Sequence, residues 1–350
     1  MGLTTAQETI YQALRTRSAS KQAVPLTDAD VAYIVRRTAS DLGVFERLSK
    51  VAGPVPDFFG IAATPPDESS VSARAQYEEL VSTVVDADTY VACLGAMFKG
   101  RAKYRRILET QPFAHMDQVG PRGLLQYGEV ETEALAALLV WRKWVYDIDN
   151  RAAQDTGYFI EPILAGAIGG VPAPARRSPV KRSGDRSKGR QVDCIKDTTA
   201  YEFKLRITIA ASGQGRWSEE LDFASDCRES GFKPVLLVLD PTISTKLTEL
   251  TRAFEAAGGV CYTGQDAWDH LKEQASDVMV QFIERYVETP LMQLYAARNL
   301  DNGRLPPFEL QDEGNAIRFR IGDSTWAVDR PGSDPDLAEF DPVQDSVMDL

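Results

Sequence analysis

From Tyr201 to Ile209 hydrophobic and polar positions alternate strictly. Tyr201, Phe203, Leu205, Ile207 and Ile209 fall on one side, and Glu202, Lys204, Arg206 and Thr208 on the other. A period of two is the signature of a β-strand with two different faces. With the preceding RQVDCIKDTT, the pattern predicts a hairpin over 190–209. Helical spacing follows over about 216–230, and then KPVLLVLD (233–240) is apolar at every position from Val235 to Leu239. Such a run suits a central strand covered on both sides. A helix (244–258), a short strand (259–264), a helix (265–274) and one more hairpin (316–329) complete the second half. The order predicts an α/β fold: a mixed central β-sheet flanked by helices.

Residues 1–150 read as a mainly helical region. Thr27-Asp28 is placed to cap a helix, 65–70 (PPDESS) reads as a loop, and 71–110 favours helix. HMDQVGPRGLLQYG (115–128) reads as an irregular loop, and 129–167 favours helix again, with Leu135, Leu138, Leu139, Trp141 and Trp144 among its apolar positions. The segment 169–189 reads as a flexible basic loop. The expected organisation is 1–150, a core over 151–290, a hairpin extension over 291–330, and an acidic tail over 331–350 that reads as disordered. Trp217, Trp268 and Trp326 read as core, Asp240 as a loop cap and His270 as a helix-surface residue.

At 350 residues, 43% apolar and 26% charged, the chain has the composition of a globular protein with a real core. No run is apolar enough to span a bilayer and no signal peptide is recognised, so a cytoplasmic protein without a membrane partner is expected. Cys93, Cys194, Cys227 and Cys261 are scattered and contain no CxxC pair, which fits reduced thiols. With only His115 and His270, a His-rich zinc site is excluded.

The net charge of −12 argues against a nucleic-acid partner only until its distribution is read. Six acids and no base lie in 331–350, whereas KGRAKYRR (99–106) holds five bases and no acid, and 176–190 holds seven bases against Asp185 alone. Patches of this kind contact phosphates on an otherwise acidic protein.

The charged face of 201–209 demands either solvent or a task. If the hairpin turns between Asp197 and Thr198, Cys194 faces Tyr201 and Asp193 faces Glu202, with Cβ atoms about 4.5–5.5 Å apart. Two carboxylates set there repel each other, and a divalent cation between them reverses the sign. Mg²⁺ takes hard oxygen ligands and needs only one or two protein carboxylates beside waters and phosphate. Lys204 points to the same face, placed to hold or activate a water or to stabilise charge on a phosphate. The competing reading is a solvent-facing hairpin with weak surface ion pairs, and a one-residue slip in register would put Asp193 on the wrong side.

Asp193, then Glu202-Phe203-Lys204, followed by helix, strand and helix, resembles the PD-(D/E)XK nuclease superfamily, and within it the type II restriction endonucleases, with an ApaLI-like subgroup as a home. Val192 stands where the motif's name has Pro. The resemblance covers about 150–275 and implies a restriction-endonuclease-like core that cleaves double-stranded DNA at a specific site, with Asp193 and Glu202 on Mg²⁺ and Lys204 assisting the water. It also implies that Glu161, in GYFIEPILAGAIGG, stands near the metal. A palindromic target implies a homodimer. Repair or junction-resolving nucleases on the same core, and an inert DNA-binding protein, remain open alternatives.

Several residues are candidates for contacting DNA. Gln214 and Arg216 follow the strand within SGQGRWSEE, and Arg186, Lys188 and Arg190 lie in the basic segment before it. Arg122 and Gln126, in the loop over 115–128, carry the chemistry that reads guanine and adenine. Lys103 and Arg105 belong to the first basic window. The helical region 1–150 is accordingly expected to recognise DNA or to mediate dimerisation.

Overall fold

The computed structural model describes residues 2–16, 24–60, 71–205, 214–240, 242, 244–299 and 305–330; for 214–216 and 298–299 it describes the backbone alone. Two units emerge, one from Met1–Leu14, Leu26–Met97 and Gly157–Leu294, the other from Arg15–Pro25, Phe98–Thr156 and Tyr295–Leu350. The helical pattern of the first 150 residues is thus shared between them.

The first unit is built on a five-stranded sheet. Its strands are β1 (Val171–Ala173), β4 (Val192–Lys196), β5 (Thr199–Lys204), β6 (Lys233–Val238) and β7 (Val260–Thr263), in that spatial order. The pairs β1/β4 and β4/β5 are antiparallel, and β5/β6 and β6/β7 parallel, so the sheet is mixed as expected. The helices Gln214–Glu229 and Thr245–Ala256 make the two crossovers that parallel strands require. Residues Pro234 to Leu239 are all buried, which explains why this strand is apolar on both faces. One face packs Val192, Ala200, Leu236 and Val238 against Phe223, Cys227, Leu250 and Phe254.

The segment 169–189 was expected to be a loop, yet it contains β1 and a two-stranded ribbon of β2 (Lys181–Arg182) and β3 (Asp185–Gly189). Hydrogen bonds to distant partners order it. The Lys181 N–H donates to Ser230 Oγ at 2.9 Å and the Ser183 N–H to Asp226 Oδ1 at 2.7 Å, while Val180 is fully buried. Gly189 is obligatory in this packing, because a Cβ there would lie 2.0 Å from the Ala175 carbonyl oxygen.

In the helical part, Thr27 caps Asp28–Asp41 in a reciprocal capping box with Asp30. The region 71–110, expected to favour helix, forms two helices, Ala73–Thr83 and Ala87–Thr110, with Asp86 at φ 62° between them. Thr132–Ala167 forms a single helix. In the second unit a core of Leu108, Trp144, Ile148, Ile317 and Phe319 joins helix to sheet. That sheet has three strands, β8 (Phe308–Asp312), β9 (Ala316–Ile321) and β10 (Ser324–Asp329), with β8 added to the expected hairpin.

Trp268 is buried as expected, but Trp326 lies over Phe319 with 44% of its surface exposed. His270 is not a plain surface residue: its ring stacks on Tyr262 at 4.3 Å. Asp240 does cap its loop, accepting the Thr242 N–H at 2.8 Å. Among the described residues no helix is long and apolar enough to cross a membrane. The 65–70 loop, the 206–209 end of the predicted strand and the acidic 331–350 tail lie outside the described residues.

Candidate active site

The charged face of β5 is at the end of the sheet surface that the helix Gln214–Glu229 covers. Ala200, on that same face, is already in the core beside Phe223, so Glu202 and Lys204 continue a buried surface toward its rim. Their side chains are only 21% and 18% exposed. The reading of an open, solvent-facing hairpin therefore fails on burial.

Register decides what they face. The rungs are Cys194 with Tyr201, Ile195 with Ala200 and Lys196 with Thr199, across a turn in which Asp197 takes φ 53°. Aspartate tolerates the left-handed region better than most residues. These three rungs are the ones that the alternation predicts; beyond them β4 shifts register against β1 between Ile195 and Val192, and Asp193 meets β5 through its side chain. Asp193 is 9% exposed, and its Oδ2 accepts the N–H of Phe203 at 2.9 Å. Lys204 Nζ lies 3.3 Å from Glu202 Oε1 and 3.5 Å from Glu220 Oε2. Glu161 comes from the last turns of Thr132–Ala167, between the buried Ile160 and Ile163.

The electrostatics identify a local excess of negative charge. Burial, then the charges of Glu202 and Glu161, push the Asp193 carboxyl well above the usual carboxylate range, against the Phe203 N–H and Lys204. Burial and then Glu202 raise Glu161 from 4.5 to about 7, with Lys204 opposing. Burial works against the Lys204 ammonium, but Glu202, Glu220 and Asp193 outweigh it and hold its proton above the ordinary value. One ammonium does not neutralise Asp193, Glu202 and Glu161, so the site is hospitable to a further cation. Its oxygen donors suit a hard ion such as Mg²⁺. Among the described residues no three His, Cys, Asp or Glu side chains are arranged as a ready metal cage. Mg²⁺ does not require one, because waters and phosphate oxygens complete its shell.

The remaining predicted residues divide by environment. Arg190, expected at a phosphate, is turned inward and 8% exposed. It pairs with the buried Asp226, and its Nη1 donates to the Glu219 carbonyl at 2.9 Å. Asp226 holds it there, turned away from solvent. Arg186 and Lys188, by contrast, are 62% and 71% exposed on the ribbon, with long or local ion pairs to Glu229 and Asp185. The side chains of Gln214 and Arg216 lie outside the described residues, as does Arg206. In the second unit, Lys103 pairs with Asp155 at 2.9 Å and Arg105 with Glu109 at 3.0 Å. Arg122 is exposed on a 3₁₀ turn, and Gln126 Oε1 accepts from Arg142 at 3.4 Å.

Sequence reasoning missed Glu220 and Asp226. Both lie in SEELDFASD on the helix after the strand. Their only advance signal was an acidic residue recurring on a helix that must cover β5.

A family model described as ApaLI-like restriction endonuclease matches residues 61–288. The type II restriction enzyme ApaLI of Acetobacter pasteurianus is 41% identical over 340 residues, which cover 90% of each chain. No solved structure matches the chain. The matched stretch contains the whole five-stranded sheet together with Glu161, Asp193, Glu202 and Lys204. This chain belongs to the ApaLI-like restriction endonucleases, and is a type II, site-specific DNA endonuclease.

Proposed function

We propose that this endonuclease is Mg²⁺-dependent and cuts double-stranded DNA at the β4–β5 hairpin, with Asp193, Glu202 and Lys204 as the catalytic residues. The observation that carries the reading is the accumulation of carboxylates around one ammonium, Lys204 Nζ lying 3.3 Å from Glu202 and 3.5 Å from Glu220, with Asp193 and Glu161 driven toward protonation by burial and by Glu202. Asp193 and Glu202 would hold the ion, with Glu161 at its edge. A bound Mg²⁺ supplies Lewis-acid stabilisation of the charge that develops on phosphorus-bound oxygens. Lys204, kept charged by its acidic neighbours, orients the attacking water and shares in stabilising the phosphate.

Duplex DNA would be held by Arg186 and Lys188, exposed on the ribbon, and by Lys103 and Arg105 of the helix Ala87–Thr110 released from their ion pairs, with Gln214 and Arg216, which follow the strand in sequence, as further candidates. Arg122 and Gln126 are the proposed base readers, which assigns recognition, and the contacts of a homodimer, to the region 1–150. Catalysis belongs to 151–290 in this reading, 291–330 is an extension, and the protein works in the cytoplasm. Incubating purified protein with plasmid DNA, with Mg²⁺ and with chelator, tests the reading. Discrete bands in Mg²⁺ alone support it, and equal cutting in chelator overturns it.

A further inference from the structure

Lys204 faces a conflict that the site itself poses. Its nearest carboxylate, Glu202, is also a proposed ligand of the cation, and a carboxylate whose charge is shared with a divalent cation attracts an ammonium less strongly. A second group that keeps Lys204 aimed would make its position independent of the ion. The structure offers Glu220, whose Oε2 lies 3.5 Å from Lys204 Nζ and which comes from a different element, the helix Gln214–Glu229.

Glu220 is itself held in place. The peptide that joins Glu219 to Glu220 is gripped at the Glu219 carbonyl by Arg190 Nη1, at 2.9 Å. Arg190 is in turn fixed by its ion pair with Asp226, two turns further along the same helix, where Asp226 is 1% exposed. The Glu219 side chain is tied to Arg182 of the ribbon at 2.8 Å. The basic ribbon thus clamps the turn of helix that delivers Glu220, on the sheet face where Lys204 ends β5. A carboxylate near a lysine is ordinary; Glu220, 40% exposed, differs in that the helix turn carrying it is anchored next door, at the Glu219 carbonyl, by a buried arginine.

Resting on the reading of Lys204 given above, we infer that Glu220 is a positioning residue: it holds the Lys204 ammonium at the reaction site independently of Glu202, on a helix turn locked by Arg190. Geometry of this kind matters because a displacement of about 1 Å in a catalytic group costs up to roughly 100-fold in rate.

The test uses the full-length protein and the variants Glu220→Gln, Glu220→Ala, Glu220→Asp and Lys204→Ala. Single-turnover cleavage of a plasmid in Mg²⁺, DNA affinity in chelator, and thermal midpoint are measured for each. The rate at which an amine-acylating reagent modifies Lys204 in metal-free protein is read by peptide mass for the Glu220 variants. Glu220→Gln is expected to slow cleavage roughly 10- to 100-fold, with DNA affinity and thermal midpoint unchanged. Glu220→Asp should recover part of the rate, and Lys204 should be acylated faster in Glu220→Gln and Glu220→Ala. Unchanged cleavage and acylation in both of those variants would overturn the inference, as would a loss of rate accompanied by an equal loss of affinity or stability. Lys204→Ala separates the two claims: if it cuts as fast as wild type, the role of Lys204 itself fails, and if it is inactive while Glu220→Gln is normal, only the role of Glu220 fails.

Discussion

The carboxylate of Asp193 reaches across the hairpin and accepts the backbone N–H of Phe203 at 2.9 Å, which fixes one acid against the strand that carries the other, Glu202. The bond leaves the second oxygen of Asp193 to find its own partner in a buried, negatively charged place. Asp193→Asn keeps the shape and removes the charge. It is predicted to raise the thermal midpoint in chelator, because the cost of burying a charge and the repulsion with Glu202 and Glu161 are both relieved. It is also predicted to weaken binding of Mg²⁺ measured by calorimetry on the protein alone. A lowered midpoint with undiminished ion binding would contradict the assignment.

Glu161 gives a prediction in pH. Its carboxyl is raised from 4.5 to about 7 by burial and by Glu202, so the folded state holds a proton that the unfolded state releases. A raised carboxylate contributes stability below its unfolded value that is lost as pH climbs through the folded one. In chelator, Glu161→Gln should match wild type near pH 4 and become progressively more stable than it between about pH 4.5 and 7, with the gap constant above. Thermal melts of both proteins across that window check the sign.

The two arginines flanking Lys188 should behave oppositely. Arg190→Ala strands Asp226 inside the protein, and breaking a buried pair from one side costs about 3–5 kcal/mol. The double variant with Asp226→Asn should be less damaged than the single one. Arg186→Ala should leave stability unchanged and weaken DNA binding, lowering the slope of log affinity against log salt by about 1. Denaturant melts and salt-dependent binding distinguish the two.

In the second unit, Trp144 is 2% exposed in the core with Ile148 and Phe319, and its Nε1 donates to the Gln111 carbonyl at 3.1 Å. Trp144→Ala should destabilise by about 3–5 kcal/mol, more than Trp326→Ala, whose ring is 44% exposed. Unfolding of the two variants in urea gives the comparison.

What could be read in advance followed from local rules. The β4–β5 register was legible because period two and a two-residue turn leave few alternatives, and β6 because five apolar residues in a row need cover on both faces. The rungs from Lys196–Thr199 to Cys194–Tyr201 followed from that rule. The ribbon β2–β3 was not legible, since its order comes from Asp226 and Ser230, more than 40 residues away from Ser183 and Lys181. The inward turn of Arg190 was hidden in the same way, its partner Asp226 being 36 residues away. Glu220 was missed because helical spacing shows which residues share a face, but not which side chain meets a strand beneath it. β8 was missed because FELQD is short and polar at alternate positions, and is recognisable only once β9 pairs with it.

The most direct test of the central claim compares binding and cutting of one plasmid by wild type, Glu202→Gln and Lys204→Ala. The account predicts that wild type yields discrete fragments in Mg²⁺, and that both variants bind the same DNA in chelator as tightly as wild type while their cleavage falls at least about 100-fold. Variants that cut at the wild-type rate would show that the chemistry takes place elsewhere.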